Sequence, residues 1–160
     1  MGLANRLRAW ALARSPWILH FNASACNACD IEVLAALTPR YDAERFGVLL
    51  KGSPRHADIL VVTGSVSRQV APRLRRIYQQ MPYPKLVMAV GTCATSGGVF
   101  KDGYNTYMGV DKVIPVDVYV TGCPAKPENS LRGVYLLIQK LKQIRELGPQ
   151  PRKPVKVGEE

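Results

Sequence analysis

The chain has 160 residues, of which 22 are Lys or Arg and 12 are Asp or Glu, giving a formal charge of +10. That length supports one domain whose core needs no covalent staples, and no apolar run is long enough to span a bilayer. The basic residues are dispersed along the chain and accompany no nucleic-acid-binding motif, which sets nucleic acid aside as a partner.

In chain order, Leu3, Leu7, Trp10 and Ala11 recur at helical spacing, with Arg6, Arg8 and Arg14 on other faces. Residues 1–16 therefore read as an amphipathic helical segment. It either packs on its own domain or lies on a membrane surface or membrane subunit. It has neither an uninterrupted apolar stretch nor a small-residue cleavage site, so no signal peptide is expected. A cytoplasmic setting follows, where structural disulfides are rare and grouped cysteines suggest metal. "WILHFN" (17–22) is strand-like, and "DIEVLAAL" (30–37) is helical, stopping before Pro39. "ADILVVTG" (57–64) reads as a strand and "SRQVAPRLRRIYQQM" (67–81) as a charged amphipathic helix. "KLVMAVG" (85–91) and "VIPVDVYVTG" (113–122) read as strands, and 127–147 as a long helix. Strands alternating with helices over 17–147 predict a mainly parallel sheet with helices on both faces. The Pro-rich, charged tail 148–160 is expected to be extended or disordered.

Four cysteines punctuate this pattern: Cys26 and Cys29 in "CNAC", Cys93 in "GTCATSGG" and Cys123 in "TGCPAKP". Each cysteine loop leaves the carboxyl end of an expected strand. In a parallel sheet those ends share one edge, where open α/β folds bind ligands. Thiols separated by 63 and 29 intervening residues can therefore converge. Gly91, Gly97, Gly98, Gly122 and small residues crowd the loops, letting backbone approach a bulky inorganic core. Cys29 begins a helix, where the dipole favours thiolate, and Cys123 precedes Pro124, a pairing found beside iron–sulfur ligands. Thr63 and Gly64 point to the same edge and could wall the pocket. An iron–sulfur cluster fits this arrangement. A zinc site remains open, although zinc favours compact Cys pairs or Cys with His. A redox dithiol would use only the CxxC. His20 and His56 are poorly placed by spacing and read as ordinary strand or loop histidines.

"CNACDIEVLAALTPRYDAERFGV", "GSPRHADILVVTGSV", "MPYPKLVMAVGTCATSGG" and "IPVDVYVTGCPAKPE" together resemble the [4Fe–4S] small-subunit family. It comprises the small subunits of membrane-bound [NiFe] hydrogenases and the 20-kDa-type subunit of respiratory complex I. The resemblance spans about residues 15–146. It implies a flavodoxin-like α/β domain with the cluster site at the C-terminal edge of the strands. It also implies one [4Fe–4S] cluster, proximal to the partner's active site, on Cys26, Cys29, Cys93 and Cys123. Complex I subunits carry adjacent cysteines at the first site, whereas "CNAC" is similar to the energy-converting, group 4 hydrogenase side. The implied partners are a [NiFe]-hydrogenase-type large subunit, a ferredoxin-like iron–sulfur subunit and membrane-arm subunits. The implied role is passing electrons toward H2 evolution coupled to ion translocation, on the cytoplasmic face of the membrane. Relatives with the same motifs include formate hydrogenlyase, sulfane reductase and complex I-like quinone oxidoreductases. A zinc-stabilised interaction module is the non-redox alternative. No catalytic residue is expected on this chain.

Three further sites stand beside the cysteines. Glu32 could orient the cluster loop at the large-subunit interface, or could simply be an N-terminal helix carboxylate. Asp42, Glu44 and Arg45 could form an interface ion-pair patch or a solvated loop. Arg55 could face a membrane-side cavity, by fold-level analogy.

Overall fold

The computed structural model describes residue 10 and residues 14–147, with side chains through 143. Most of the helix expected over 3–14, and the whole tail 148–160, lie outside the described residues. Trp10 and Arg14 are helical, with the Arg14 guanidinium 5.1 Å from the centre of the Trp10 ring.

Five strands form one wholly parallel sheet: β1 (Trp17–Asn22), β2 (Leu49–Leu50), β3 (Ile59–Thr63), β4 (Leu86–Val90) and β5 (Val118–Val120). Their spatial order is β2-β1-β3-β4-β5. This is the flavodoxin-type doubly wound order, whose direction reverses between β1 and β3. Four helices accompany them among the described residues: α1 (Ala28–Leu37), α2 (Ala71–Gln80), the short α3 (Thr92–Ser96) and α4 (Pro127–Leu147).

The central strands β3 and β4 are buried at every position, as expected where both faces are covered. Successive side chains alternate between faces. Ile59, Val61, Met88 and Val90 meet Val33 of α1 and Leu137 of α4. Leu60, Val62, Val87 and Ala89 meet Leu74 of α2 and Ile114. Burying each such large side chain contributes about 1.5–3 kcal/mol. At the opposite end from the cysteines, Asp58 accepts from Trp17 N at 3.0 Å. There too Asp117 accepts from Val87 N and Lys140 Nζ, both at 2.8 Å.

The parallel sheet expected from the alternation is observed, with local differences. β2 is an additional strand; its two residues lie at the sheet edge, too short for an alternation pattern to reveal. The strand expected over 113–122 shrinks to Val118–Val120. A 3-10 turn at Val110–Lys112 runs up to its expected start, and Pro115 has no N–H to give a ladder. The helix expected from Ser67 begins at Ala71, with Pro72 in its first turn; Ser67 instead bridges to Thr106.

Candidate functional site

The loop after β1 is built by its own polar side chains. Asn22 Oδ1 accepts from Ser24 N and Ala25 N, each at 2.9 Å, and Ala23 N donates to Thr63 O at 2.8 Å. Ser24 and Asn27 then take left-handed backbone, at φ 74° and 72°. Those two reversals fold "SACN" back over the sheet edge and launch α1 at Ala28, which places Cys29 in its first turn and Cys26 just before it.

The other two cysteines arrive together. Gly91 N donates to Val120 O at 2.8 Å, and Thr92 N to Gly122 O at 2.9 Å. The ends of β4 and β5 are thereby laced side by side. Cys93 sits in α3 directly beyond, and Cys123 follows Gly122, with a cis peptide to Pro124. The approach of loops is close: a Cβ on Gly91 would lie 2.5 Å from Cys29 Sγ, and one on Gly98 would lie 3.0 Å from Cys93 Sγ. Both glycines have positive φ, so the backbone and the space each demand glycine.

All four cysteines are free thiols; Cys26 and Cys123 are exposed, Cys29 and Cys93 half-buried. Burial pushes the Cys29 thiol up, and the negative charges of Cys26, Cys123 and Asp30 add to it, while the Ala125 N–H opposes them. Burial likewise pushes Cys93 up, helped by the charges of Cys123, Cys26 and Cys29 and opposed by the Val99 N–H. Cys29 and Cys93 thus lie within electrostatic reach of the other cysteines, and a backbone donor faces each of these two sulfurs. Among the described residues no group of three or more His, Cys, Asp or Glu is arranged to hold a single metal ion.

The chain segments that follow Cys29 and Cys93 carry apolar side chains that the domain does not cover. Val99 is 88% exposed and Tyr104 94%, both on the segment following Cys93. Ile31 and Leu34 project from α1. Uncovered apolar side chains grouped around a site mark a docking face.

Asp30, directly after Cys29, is a residue that sequence reasoning passed over. It is 4% exposed and accepts from the Thr63 hydroxyl, from Asn22 Nδ2 at 2.5 Å and from His20 Nε2 at 2.8 Å. His20 is therefore not an idle strand histidine. The signal was present: His20 and Asn22 are two apart on a strand, so they share a face. Thr63, expected to wall the pocket, is wholly buried inside this network. Glu32 lies one turn into α1, and the acidic residue of the first turn is Asp30. Asp42 pairs with Arg45 at 3.0 Å, with the arginine 78% exposed, and caps the 3-10 turn Ala43–Phe46. Arg55 and His56 are exposed.

Residues 26–137 match the family described as NADH ubiquinone oxidoreductase, 20 Kd subunit. Over 133 residues the chain is 56% identical to the probable membrane-bound hydrogenase subunit mbhJ of Pyrococcus furiosus, spanning 83% of this chain and 80% of that protein. Over 157 residues it is 46% identical to an NADH-quinone oxidoreductase subunit of Rubrobacter xylanophilus, spanning 98% of this chain and 61% of that protein. A chain in the structure of the membrane-bound sulfane sulfur reductase, an archaeal respiratory membrane complex, superposes with a TM-score of 0.73 at 40% identity. That match covers 89% of this chain and 77% of the other.

Proposed function

The chain belongs to the NADH ubiquinone oxidoreductase 20 Kd subunit family, whose members are oxidoreductase subunits, and on that premise we propose that it is an electron-relay subunit. It holds one [4Fe–4S] cluster on Cys26, Cys29, Cys93 and Cys123, in a membrane-bound [NiFe]-hydrogenase-type complex. The observation that carries this reading is the meeting of four reduced thiols from three loops at the carboxyl edge of the sheet. Each of the two half-buried ones is raised by burial and then by the charge of its neighbours. A polycationic iron core offsets that burial and crowding by stabilising the thiolate forms.

The residues present fit such a group. The donor set is four thiols, and Gly91 and Gly98 leave room where a Cβ would press on Cys29 and Cys93. When bound, the cluster supplies one-electron transfer. The chain does the rest. Its thiolates ligate, the Ala125 and Val99 N–H groups donate to Cys29 and Cys93, and burial on the sheet side leaves Cys26 and Cys123 facing outward. A large subunit bearing a [NiFe] centre covers that outward edge. A ferredoxin-like subunit delivers electrons, and membrane-arm subunits couple the reaction to ion movement. No described helix is long and apolar enough to cross a membrane. In this reading the chain is a peripheral subunit, held on the cytoplasmic face by its partners.

"CNAC" and the 56% identity to a hydrogenase subunit favour protons as the terminal acceptor. The 40% identity to a chain of the sulfane sulfur reductase supports a second reading, in which the acceptor is a sulfur compound. Anaerobic purification of the complex beside a Cys26→Ala, Cys123→Ala variant, followed by iron, sulfide and zinc analysis and EPR, tests the cluster. The unsubstituted complex is expected to carry about four more irons than the variant and a signal on reduction that the variant lacks. Equal iron and equal signals in the two, or a difference of one zinc, overturns the reading. Two CxxC pairs in the partner large subunit select the hydrogenase.

A further inference from the structure

Beneath the loop that carries Cys26 lies a closed polar network with a carboxylate at its centre. Asp30 is buried, and its oxygens meet Thr63 Oγ1, His20 Nε2 and Asn22 Nδ2. Thr63 and Asn22 are donors there, and the network assigns the His20 Nε2 proton to the same carboxylate. An acid surrounded by three donors is the acceptor-only carboxylate. Burying that charge is tolerated because every neighbour donates to it. The three donors come from the ends of β1 and β3, so Asp30 pins the start of α1 to the sheet. Asn22 passes the restraint on: its Nδ2 end binds Asp30 while its Oδ1 end accepts the Ser24 and Ala25 amides. Those amides open the stretch of left-handed backbone that carries Cys26.

We infer that Asp30 is a positioning residue that fixes the CNAC loop and, as a buried carboxylate beside Cys29, holds the reduction potential of the bound cluster low. The inference rests on the cluster reading above. A fixed anion makes each added electron less favourable in a partly desolvated site. The charge lies close to the ligand sulfur, since Asp30 directly follows Cys29 in the first turn of α1.

The test is a redox titration of the anaerobically purified complex, followed by EPR, with Asp30→Asn beside the unsubstituted protein. Asparagine keeps the shape and can still pair with Asn22. The expected result is unchanged iron content and a higher midpoint potential. At fixed potential the reduced-to-oxidised ratio should rise about tenfold, which is ~59 mV for a one-electron couple. Full iron with an unmoved potential overturns the inference and leaves the cluster standing. Absence from the unsubstituted complex of the four irons and the signal that depend on these cysteines overturns the cluster reading instead. If Asp30→Asn loses iron, Asp30→Ser is titrated in the same way, with the same expectation. Loss of iron from both variants alone would reduce Asp30 to a purely structural residue, and the inference would be wrong.

Discussion

Gly91 stands at φ +92°, and any side chain there would strike Cys29 Sγ. Gly91→Ala should cost about 1–3 kcal/mol through backbone strain and displace Cys29. Thermal unfolding should shift down and iron content fall together. The thiols themselves carry a pH dependence. Burial and neighbouring charges raise Cys29 and Cys93, so in the iron-free chain the folded state keeps these protons longer than the unfolded state does. Stability from this source is fully present below the ordinary thiol range and is lost as pH rises through it. Denaturant midpoints of the iron-free protein at stepped alkaline pH should therefore fall, and a flat profile would count against the crowding of thiols. Cysteine positions could be read from the residues alone because a strand followed by a Cys in a Gly-rich loop is a local pattern. Of the Asp30 network only the shared face of His20 and Asn22 could be, since its four members come from three separate elements.

At the scale of elements, α4 and the loop after β1 do different work. Leu137 of α4 is wholly buried against β3 and β4. Leu137→Ala should cost about 2–5 kcal/mol by deleting methyl groups and leaving a cavity, measurable by chemical denaturation. Asn22→Ala should behave otherwise. It removes the acceptor for Ser24 N and Ala25 N, so exchange of those two amides should accelerate while the central strands stay protected. Unchanged exchange at Ser24 would show that the loop is held by something else. The long elements were legible because apolar periodicity repeats over many residues; β3, β4 and α4 lie close to where the pattern put them. β2 and α3 were not, because two and five residues are shorter than a period needs. Their conformations come from pairing with β1 and from the lacing of the β4 and β5 ends.

For the molecule as a whole, the apolar fringe at the cysteine edge separates folding from assembly. Val99 and Tyr104 contribute almost nothing to the core, being 88% and 94% exposed. The double substitution Val99→Ser with Tyr104→Ser should alter stability by no more than about 0.5 kcal/mol per site. On the proposed function it should nonetheless weaken retention of the large subunit proposed to cover this edge, checked by co-purification and by the thermal midpoint of the isolated chain. A large fall in that midpoint with retention intact would place these side chains in the fold instead.

By itself the sequence determined the fold class, the parallel sheet and the gathering of four cysteines along one edge. Periodicity and strand-end position are properties of neighbouring residues, and the edge follows from them because all parallel strands end on the same side. Only the tertiary structure decided the strand order, the closeness of Gly91 to Cys29, and the burial of Asp30 among His20, Asn22 and Thr63. Those depend on which strands lie side by side, and hydrogen bonding across the sheet, rather than spacing along the chain, selects that.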